Sequence, residues 1–312
     1  MLDAGKTRQG AAAALLEASG LSRAGTAPAA RARQRFGLRH WKKRAEAVGL
    51  WLLLAAGAVV MMFPVYWMFA TAVRPKDEIF SGNAGLMPSS FVWSNFAEAI
   101  DRMPFLHWAA NSLVIAVIAV AITVTLNLLC GYAFAKFRFA GRNILFIAVL
   151  SALMIPVQVI LVPLFLVISE LGLLNDYWGV ILPRAAEAFG IFMVRQFMVG
   201  IPDELIEAAR IDGASELSIF LKIVVPLSKP IIAVLVIFTF MWRWNDFALP
   251  LVVLMDQDSY TVQLGLNILK GQYNTEWTNI MAIALLSLMP MLIIFAFFQR
   301  YFVQGIAGTG LK

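Results

Sequence analysis

Charge, cysteine and histidine are all scarce in this 312-residue chain. Charged residues make up 14% of it, against about a quarter in a soluble domain, while 61% of the residues are hydrophobic. The lone cysteine, Cys130, has no partner for a disulfide within the chain. With only two histidines beside it, it leaves too few ligands for a transition-metal cluster. The composition therefore predicts a membrane protein without a metal site.

The chain also lacks the motifs of ATP hydrolysis and of covalent catalysis. Gly5-Lys6-Thr7 resembles the end of a phosphate-binding loop, but the upstream glycine and the preceding strand are missing. No pair of a nucleophile and a base stands out in the rest of the sequence. We therefore predict that the chain is not an enzyme, has no catalytic residues and binds no cofactor itself.

Long apolar segments are what the sequence has in abundance. A helix that crosses the hydrocarbon core of a bilayer needs about 20 apolar residues. Four uncharged segments satisfy this requirement, and two more do so although charged residues interrupt them. We predict an all-α polytopic membrane protein with six transmembrane helices, which cover residues 48–73, 109–135, 143–169, 177–199, 228–254 and 277–299.

Lysine and arginine are distributed unevenly between the predicted helices. One set of loops, with the two termini, carries 19 of these residues, and the alternate loops carry 4. Because cytoplasmic loops are rich in positive charge, both termini and the loop of residues 201–230 are predicted to be cytoplasmic. The chain then divides into a basic, disordered tail 1–47 that contacts membrane lipid, a transmembrane domain 48–303 and a short tail 304–312. The positive charge marks topology and does not indicate nucleic-acid binding.

The segment of residues 201–230, here called the 201–230 loop, reads as a charged helix–turn–helix within an otherwise apolar chain. Pro202 and the acidic residues after it suit the start of a helix. Gly213 is the natural place to leave helical geometry, because glycine adopts positive φ without strain. The second arm is predicted to present one apolar face, formed by Leu217, Phe220, Leu221 and Val224.

The 201–230 loop resembles the coupling loop, or EAA loop, of permease subunits in bacterial ABC importers. The residues that stand at the family's spacing are Glu207, Ala208, Ala209, Asp212, Gly213, Ala214, Phe220, Ile223, Pro226, Leu227 and Pro230. The resemblance implies the type I permease fold in a bacterial inner membrane, with Glu207 to Ala214 and Phe220 coupling to an ATPase. It also implies the partners: two copies of an ATP-binding subunit that hold ATP and Mg, a second permease subunit, and an extracytoplasmic solute-binding protein.

Softer similarities point to the carbohydrate class of these importers, and within it to the second permease subunit of maltose-type systems. They lie at Arg74-Pro75-Lys76, at Trp244-Asn245-Asp246-Phe247 and at Gln299-Arg300-Tyr301-Phe302-Val303-Gln304-Gly305. The resemblance therefore implies uptake of a sugar or oligosaccharide. Two alternatives remain open at this point: an ABC permease for another small solute, and a secondary transporter driven by an ion gradient.

Charged residues inside predicted spans are the candidates for a substrate path. Arg184 and Glu187 are three residues apart, and Arg243 and Asp246 repeat this spacing. Such spacing predicts either two intrahelical ion pairs or polar patches on the path. The candidate path residues are Trp242, Trp244, Asn245, Asp246 and Gln158. Gln158 lies between Pro156 and Pro163, which predict a kinked or unwound third span.

Overall fold

The computed structural model describes residues 27–79, 85–270 and 276–309, and all the longer elements of these segments are helices. The chain divides into two units, Met1–Pro64 and Val65–Lys312. The helices, in chain order, are α1 Ala27–Ala72, α2 Ser94–Arg102, α3 Phe105–Lys136, α4 Arg142–Ser151, α5 Val157–Glu170, α6 Tyr177–Ile181, α7 Ala188–Val199, α8 Asp203–Ile211, α9 Glu216–Leu227, α10 Lys229–Trp244, α11 Ala248–Val253, α12 Val262–Lys270 and α13 Trp277–Thr309.

Among the residues that the structure describes, three helices are long and apolar enough to cross a membrane by themselves. They are Glu46–Ala72 within α1, the whole of α3, and Trp277–Arg300 within α13. Two bent pairs bring the number to five if each pair is one span: α4 with α5, at 102°, and α9 with α10, at 78°. The shorter apolar helix α7 lies in the predicted fourth span. The all-α membrane fold is confirmed, whereas six continuous spans are not found within the described residues.

The third predicted span breaks at the first of its two prolines. After α4, a 3-10 turn covers Ala152–Met154, and Pro156 has extended backbone with ψ 132°. Pro163 lies inside α5 and does not break it. A proline has no N–H to donate to the preceding turn, so the break costs no backbone hydrogen bond at Pro156. The predicted kink is therefore confirmed at Pro156 alone.

The fourth and fifth predicted spans are broken near their charged residues. A 3-10 turn covers Leu182–Arg184, and Glu187 has extended backbone before α7 begins. In the fifth span, α10 ends at Trp244, and Asp246 lies beyond it. Neither arginine therefore shares a helix face with the carboxylate three residues later. The predicted intrahelical ion pairs are wrong, because the backbone leaves the helix between the two residues of each pair.

Helix α3 is the element around which the buried side chains gather. Near its start, Phe105 and Trp108 pack with residues of α10, α12 and α13. Its middle, at Ile115 and Ala119, packs with α5, α6 and α11. Its last turns, around Tyr132, pack with α7, α10 and the 201–230 loop. The loop is thus joined to the helix at the centre of the bundle.

Four charged side chains link three parts of the chain that are distant in sequence. Lys76 Nζ donates to Glu98 Oε1 at 2.6 Å and to Glu276 Oε2 at 3.1 Å. Arg102 contacts the same two carboxylates at 2.5 and 2.6 Å. The hydrogen bond to Glu98 raises the pKa of Lys76. The network joins the turn after α1, helix α2 and the start of α13.

Candidate functional site

The 201–230 loop begins with a helix that is fastened to the end of α3. Pro202 precedes α8, and Asp203 and Glu204 occupy its first turn, where negative charge suits the helix dipole. Lys136, the last residue of α3, donates from Nζ to the Ile201 carbonyl and to Asp203 Oδ1, both at 2.5 Å. The hydrogen bond from Lys136 to the Asp203 carboxylate lowers the pKa of Asp203. The side chain of Lys136 is itself almost fully buried, so the contact fixes the entry to the loop.

Gly213 forms the turn between the two arms of the loop. Its φ is 79°, in the left-handed region that favours glycine. Its N–H donates to the Arg210 carbonyl at 3.0 Å, and the Ala214 N–H donates to the Ala209 carbonyl at 3.0 Å. This pair of bonds is the Schellman arrangement, which satisfies carbonyls at a helix end. The predicted turn therefore lies where the sequence analysis placed it.

A bidentate ion pair closes the same turn from one side. Arg210 Nε and Nη2 contact the two carboxylate oxygens of Glu216 at 2.6 and 3.2 Å. The hydrogen bond from Arg210 lowers the pKa of Glu216. Tyr132 on α3 donates to Glu216 Oε2 at 3.4 Å. The turn, the second arm and α3 are thus linked through one carboxylate.

The second arm, α9, contains a π turn at Phe220–Val224. Its buried face is formed by Ile219, Phe220 and Val224, whereas Leu217 and Leu221 are exposed. The predicted apolar face is therefore correct at Phe220 and Val224 and wrong at the two leucines. The π turn inserts an extra residue into the helix, which changes the positions that face inward.

The residues predicted to couple to an ATPase divide into an outer and an inner group. Glu207, Ala208, Asp212 and Gly213 are exposed. The inner group contains Ala209, Ala214 and Phe220, which are half-buried or buried against the end of α3. The ring centroid of Phe220 lies 5.3 Å from the ring centroid of Tyr132. The inner group thus fixes the loop to the bundle, and the outer group is available to another protein. Their roles in coupling stay a prediction.

Ile211 belongs to the exposed edge of the loop, although the sequence analysis did not single it out. Its side chain is 86% exposed, next to Asp212 and Gly213. The neighbouring residues Asp212 and Gly213 are exposed as well, so Ile211 extends the outer group of the loop. The sequence does contain an indication that Ile211 is exposed, because this isoleucine stands immediately before the predicted turn in a segment predicted to face water.

A second site lies where the breaks in the fourth and fifth predicted spans meet. Arg184 Nη1 contacts Asp246 Oδ2 at 2.9 Å, and Arg243 Nη2 contacts Glu187 Oε1 at 2.7 Å. Arg243 Nη2 also donates to the Arg184 carbonyl at 2.6 Å. The ion pairs therefore cross between the two segments. We call these four residues the charged quartet.

Helix α3 supplies uncharged partners to the same site. Thr123 donates from Oγ1 to the Arg184 carbonyl at 3.2 Å, and Asn127 Oδ1 accepts from the Glu187 N–H at 3.1 Å. A Cβ at Gly190 would lie 2.0 Å from Asn127 Nδ2, so only glycine permits this approach of α7. Two of the backbone polar groups at the helix break, the Arg184 carbonyl and the Glu187 N–H, are thus satisfied by α3.

The predicted path residues occupy two different environments. Trp242, Asn245 and Gln158 are exposed on this chain. Trp244 is fully buried, and its Nε1–H donates to the Ser287 carbonyl at 2.9 Å. Asp246 is buried in the charged quartet. The structure does not bring the five together on one surface, and their contact with substrate stays a prediction.

Two of the exposed residues, Trp242 and Asn245, contact neighbouring side chains. The ring of Trp242 packs edge-on against Phe189, with centroids 5.6 Å apart, and lies 5.7 Å from Phe238. Asn245 accepts a hydrogen bond from Gln263 at 3.3 Å and donates to the Met241 carbonyl at 2.8 Å. Aromatic faces and amide groups can bind the apolar faces and the hydroxyls of a sugar respectively.

Residues 127–308 match the family described as the binding-protein-dependent transport system inner membrane component. The chain belongs to this family. The match includes the whole 201–230 loop and the charged quartet. The protein is therefore a multi-pass permease subunit of an ABC importer in the inner membrane, and it is not an enzyme. Such a subunit works with an ATPase, a partner permease and a solute-binding protein. An ion-coupled secondary transporter and a membrane enzyme are both excluded.

The similarity to individual relatives extends over nearly the full length of each relative. The arabinooligosaccharides transport system permease protein AraQ of Halalkalibacterium halodurans is 35% identical over 277 residues, which is 87% of this chain and 99% of the relative. The sn-glycerol-3-phosphate transport system permease protein UgpE of Pectobacterium atrosepticum is 36% identical over 266 residues, 83% of this chain and 95% of the relative.

A solved structure supports the fold independently. A chain from the crystal structure of a bacterial ABC transporter involved in the import of the acidic polysaccharide alginate superposes with a TM-score of 0.75. The two chains are 24% identical, and the match covers 84% of this chain and 98% of that one. The two chains thus share one fold.

Proposed function

We propose that this chain forms half of the translocation path of an ATP-driven importer for a sugar or oligosaccharide, which a solute-binding protein delivers. The names of its relatives support a saccharide, since one is a permease for arabinooligosaccharides and a fold relative belongs to an alginate importer. A second candidate solute is a small phosphorylated polyol, because a relative with similar identity is named for sn-glycerol-3-phosphate.

The observation that carries this proposal is the 201–230 loop, whose inner residues are fixed to α3 while its tip is exposed. We propose that two copies of an ATP-binding subunit flank this chain and its permease partner, and that one of them binds the tip at Glu207, Ala208, Ile211 and Asp212. ATP and Mg bind to those subunits, and this chain binds no cofactor. ATP then favours the outward-facing state through contacts that the loop makes more strongly in that state.

The proposed orientation places both termini and the 201–230 loop in the cytoplasm. The uneven distribution of lysine and arginine supports it. The Lys76 network and helix α2 then lie on the outer side, where the solute-binding protein delivers its ligand. This orientation is testable with thiol reagents that do not cross membranes.

Within the path, we propose that Trp242, Asn245 and Gln158 contact the solute. Trp244 and Asp246 then support this surface from behind, because both are buried and hydrogen-bonded or ion-paired within the chain. If two permeases together form the wall of the path, the half that belongs to one permease is exposed when that chain is considered alone. Trp242, Asn245 and Gln158 are exposed in this way.

The test is to purify the chain from its native membrane in a mild detergent and to identify by mass spectrometry what remains bound. We expect a P-loop ATPase, a second permease and a solute-binding protein. That binding protein is then screened by calorimetry against oligosaccharides, with sn-glycerol-3-phosphate as the comparison. Recovery of the chain as a homodimer without an ATPase would overturn the proposed assembly, and a binding protein that prefers the phosphorylated polyol would overturn the saccharide.

A further inference from the structure

Helices α7 and α10 are connected at two levels. The 201–230 loop joins the end of α7, at Val199, to the start of α10, at Lys229. The charged quartet joins their opposite ends, because Glu187 precedes α7 and Arg243 lies in the last turn of α10. With 12 and 16 residues, the helices separate the two levels by about 18–24 Å. Loop, helices and quartet therefore form a closed ring.

We propose that the charged quartet is a clamp that makes α7 and α10 move as one body, so that a displacement of the 201–230 loop reaches the far ends of both helices. The four residues are then positioning residues for coupling and do not bind the solute. This inference rests on the proposed function, because it concerns how work from the ATPase is transmitted.

The hydrogen bonding of the quartet favours a clamp that stays closed. Arg243 Nη2 binds both the Glu187 carboxylate and the Arg184 carbonyl, so one guanidinium holds two points of the break before α7. The Arg243 side chain is 1% exposed and that of Asp246 is 7% exposed. The side chains of Glu187 and Arg184 are 15% and 22% exposed, so each ion pair has one deeply buried member. If a pair separates, that buried member loses its partner without gaining water. A gate that opens in every cycle would require that loss each time.

Helix α3 reinforces both levels of the ring. At the quartet, Thr123 and Asn127 bind the backbone of residues 184 and 187. At the loop, Tyr132 contacts Glu216 and Lys136 holds the Ile201 carbonyl. A push on the loop is thus transmitted through α3 as well as through α7 and α10. The block that moves contains three helices and the loop.

The experiment uses the whole importer in proteoliposomes, with solute uptake and ATP hydrolysis measured in the same vesicles. The lone native cysteine is first replaced by Cys130→Ala, and uptake by this background is verified. Glu187→Cys with Arg243→Cys then removes one ion pair. We expect at least a tenfold fall in solute transported per ATP hydrolysed, with the amount of inserted protein unchanged. A flexible bis-methanethiosulfonate that links the two cysteines is expected to restore at least half of the lost ratio.

This rescue separates a clamp from the other roles of the quartet. A gate would be locked by the cross-link, so uptake that falls further or fails to recover overturns the proposal. A purely structural role would lower uptake and ATP hydrolysis together and leave their ratio unchanged, which also overturns it. If the variant fails to insert, Arg184→Cys with Asp246→Cys provides the same test on the other ion pair.

Two controls distinguish a failure of the clamp proposal from a failure of the proposed function. Tyr177→Phe removes a hydrogen bond of 2.7 Å from α6 to Asn111 on α3, outside the ring, and should leave the transport ratio unchanged. The unmodified importer must show ATP-driven uptake in the same vesicles. Absence of that uptake refutes the proposed function, whereas failure of the cross-link to rescue an importer that is otherwise active refutes the clamp alone.

Discussion

Replacement of Gly213 by proline should disconnect ATP hydrolysis from uptake without unfolding the bundle. Proline fixes φ near −65°, whereas Gly213 has φ 79°, and proline has no N–H to donate to Arg210. Both bonds of the Schellman turn are then lost, including the one from Ala214 to Ala209. At about 0.5–1.5 kcal/mol each, the closed turn loses about 1–3 kcal/mol. Its population relative to open forms then falls by about 5- to 150-fold.

The bundle itself should tolerate this change, because Gly213 is exposed and nothing lies within 4 Å of the position that its Cβ would take. The assay measures uptake and ATP hydrolysis in proteoliposomes with equal amounts of inserted protein. Uptake per ATP is expected to fall by at least tenfold.

A matched control is available at Gly141, in the short link between α3 and α4. It has φ 80° and the same open space around it, so proline there imposes a comparable backbone change outside the 201–230 loop. Gly141→Pro should retain coupled uptake. Normal transport by Gly213→Pro, or an equal loss in both variants, would refute the assignment of coupling to this loop.

Three further predictions concern single side chains. Asn245→Ala should lower the apparent affinity for solute or the maximal uptake rate, and unchanged uptake kinetics would remove Asn245 from the path. Trp244→Ala should lower the melting temperature of the purified importer through a loss of about 3–5 kcal/mol, because a fully buried indole and its hydrogen bond are removed; a stability equal to wild type would contradict the buried placement. Glu216→Gln should speed amide exchange at the turn up to about fivefold at neutral pH, as expected for an exposed ion pair. Because Arg210 lowers the pKa of Glu216, this pair stabilises the turn above the ordinary carboxylate pKa and is lost only as pH falls through the lowered value. Turn protection should then be constant between about pH 5 and 8, and protection that declines within that range would contradict the pairing.

The fold class and three of the spans follow from the sequence because they depend on the length of apolar segments alone. The break at Pro156 was predictable for a similar reason, since proline acts through its own covalent geometry. The breaks before α7 and after α10 depend instead on contacts between segments about 60 residues apart. Spacing within one segment cannot report such contacts.

The charged quartet shows why the pairing could not be predicted. Both arginines precede a carboxylate by three residues, so the crossed and the intrahelical arrangements have the same sequence pattern. Pro183, immediately before Arg184, was the available indication that the helix ends there. The crossed arrangement is possible because Thr123 and Asn127 on α3 satisfy the backbone at the break.

The 201–230 loop was predicted more fully, because its signals are local. Gly213 is a turn residue by virtue of its own conformation, and the acidic start of α8 suits the helix dipole. The exposure of Leu217 and Leu221 was not predictable from helical spacing, since a π turn has no signature in the residue pattern.

The network of Lys76, Glu98, Arg102 and Glu276 has a consequence for how the protein is made. Lys76 and Glu276 are 200 residues apart, and a ribosome that adds about 5–20 residues per second needs about 10–40 s to synthesise that interval. During this time Lys76 and Arg102 have Glu98 as their carboxylate partner but not Glu276. The segment that follows the first helix therefore lacks part of its ion-pair network until Glu276 has been synthesised. Its folding is completed only when the last helix of the chain arrives.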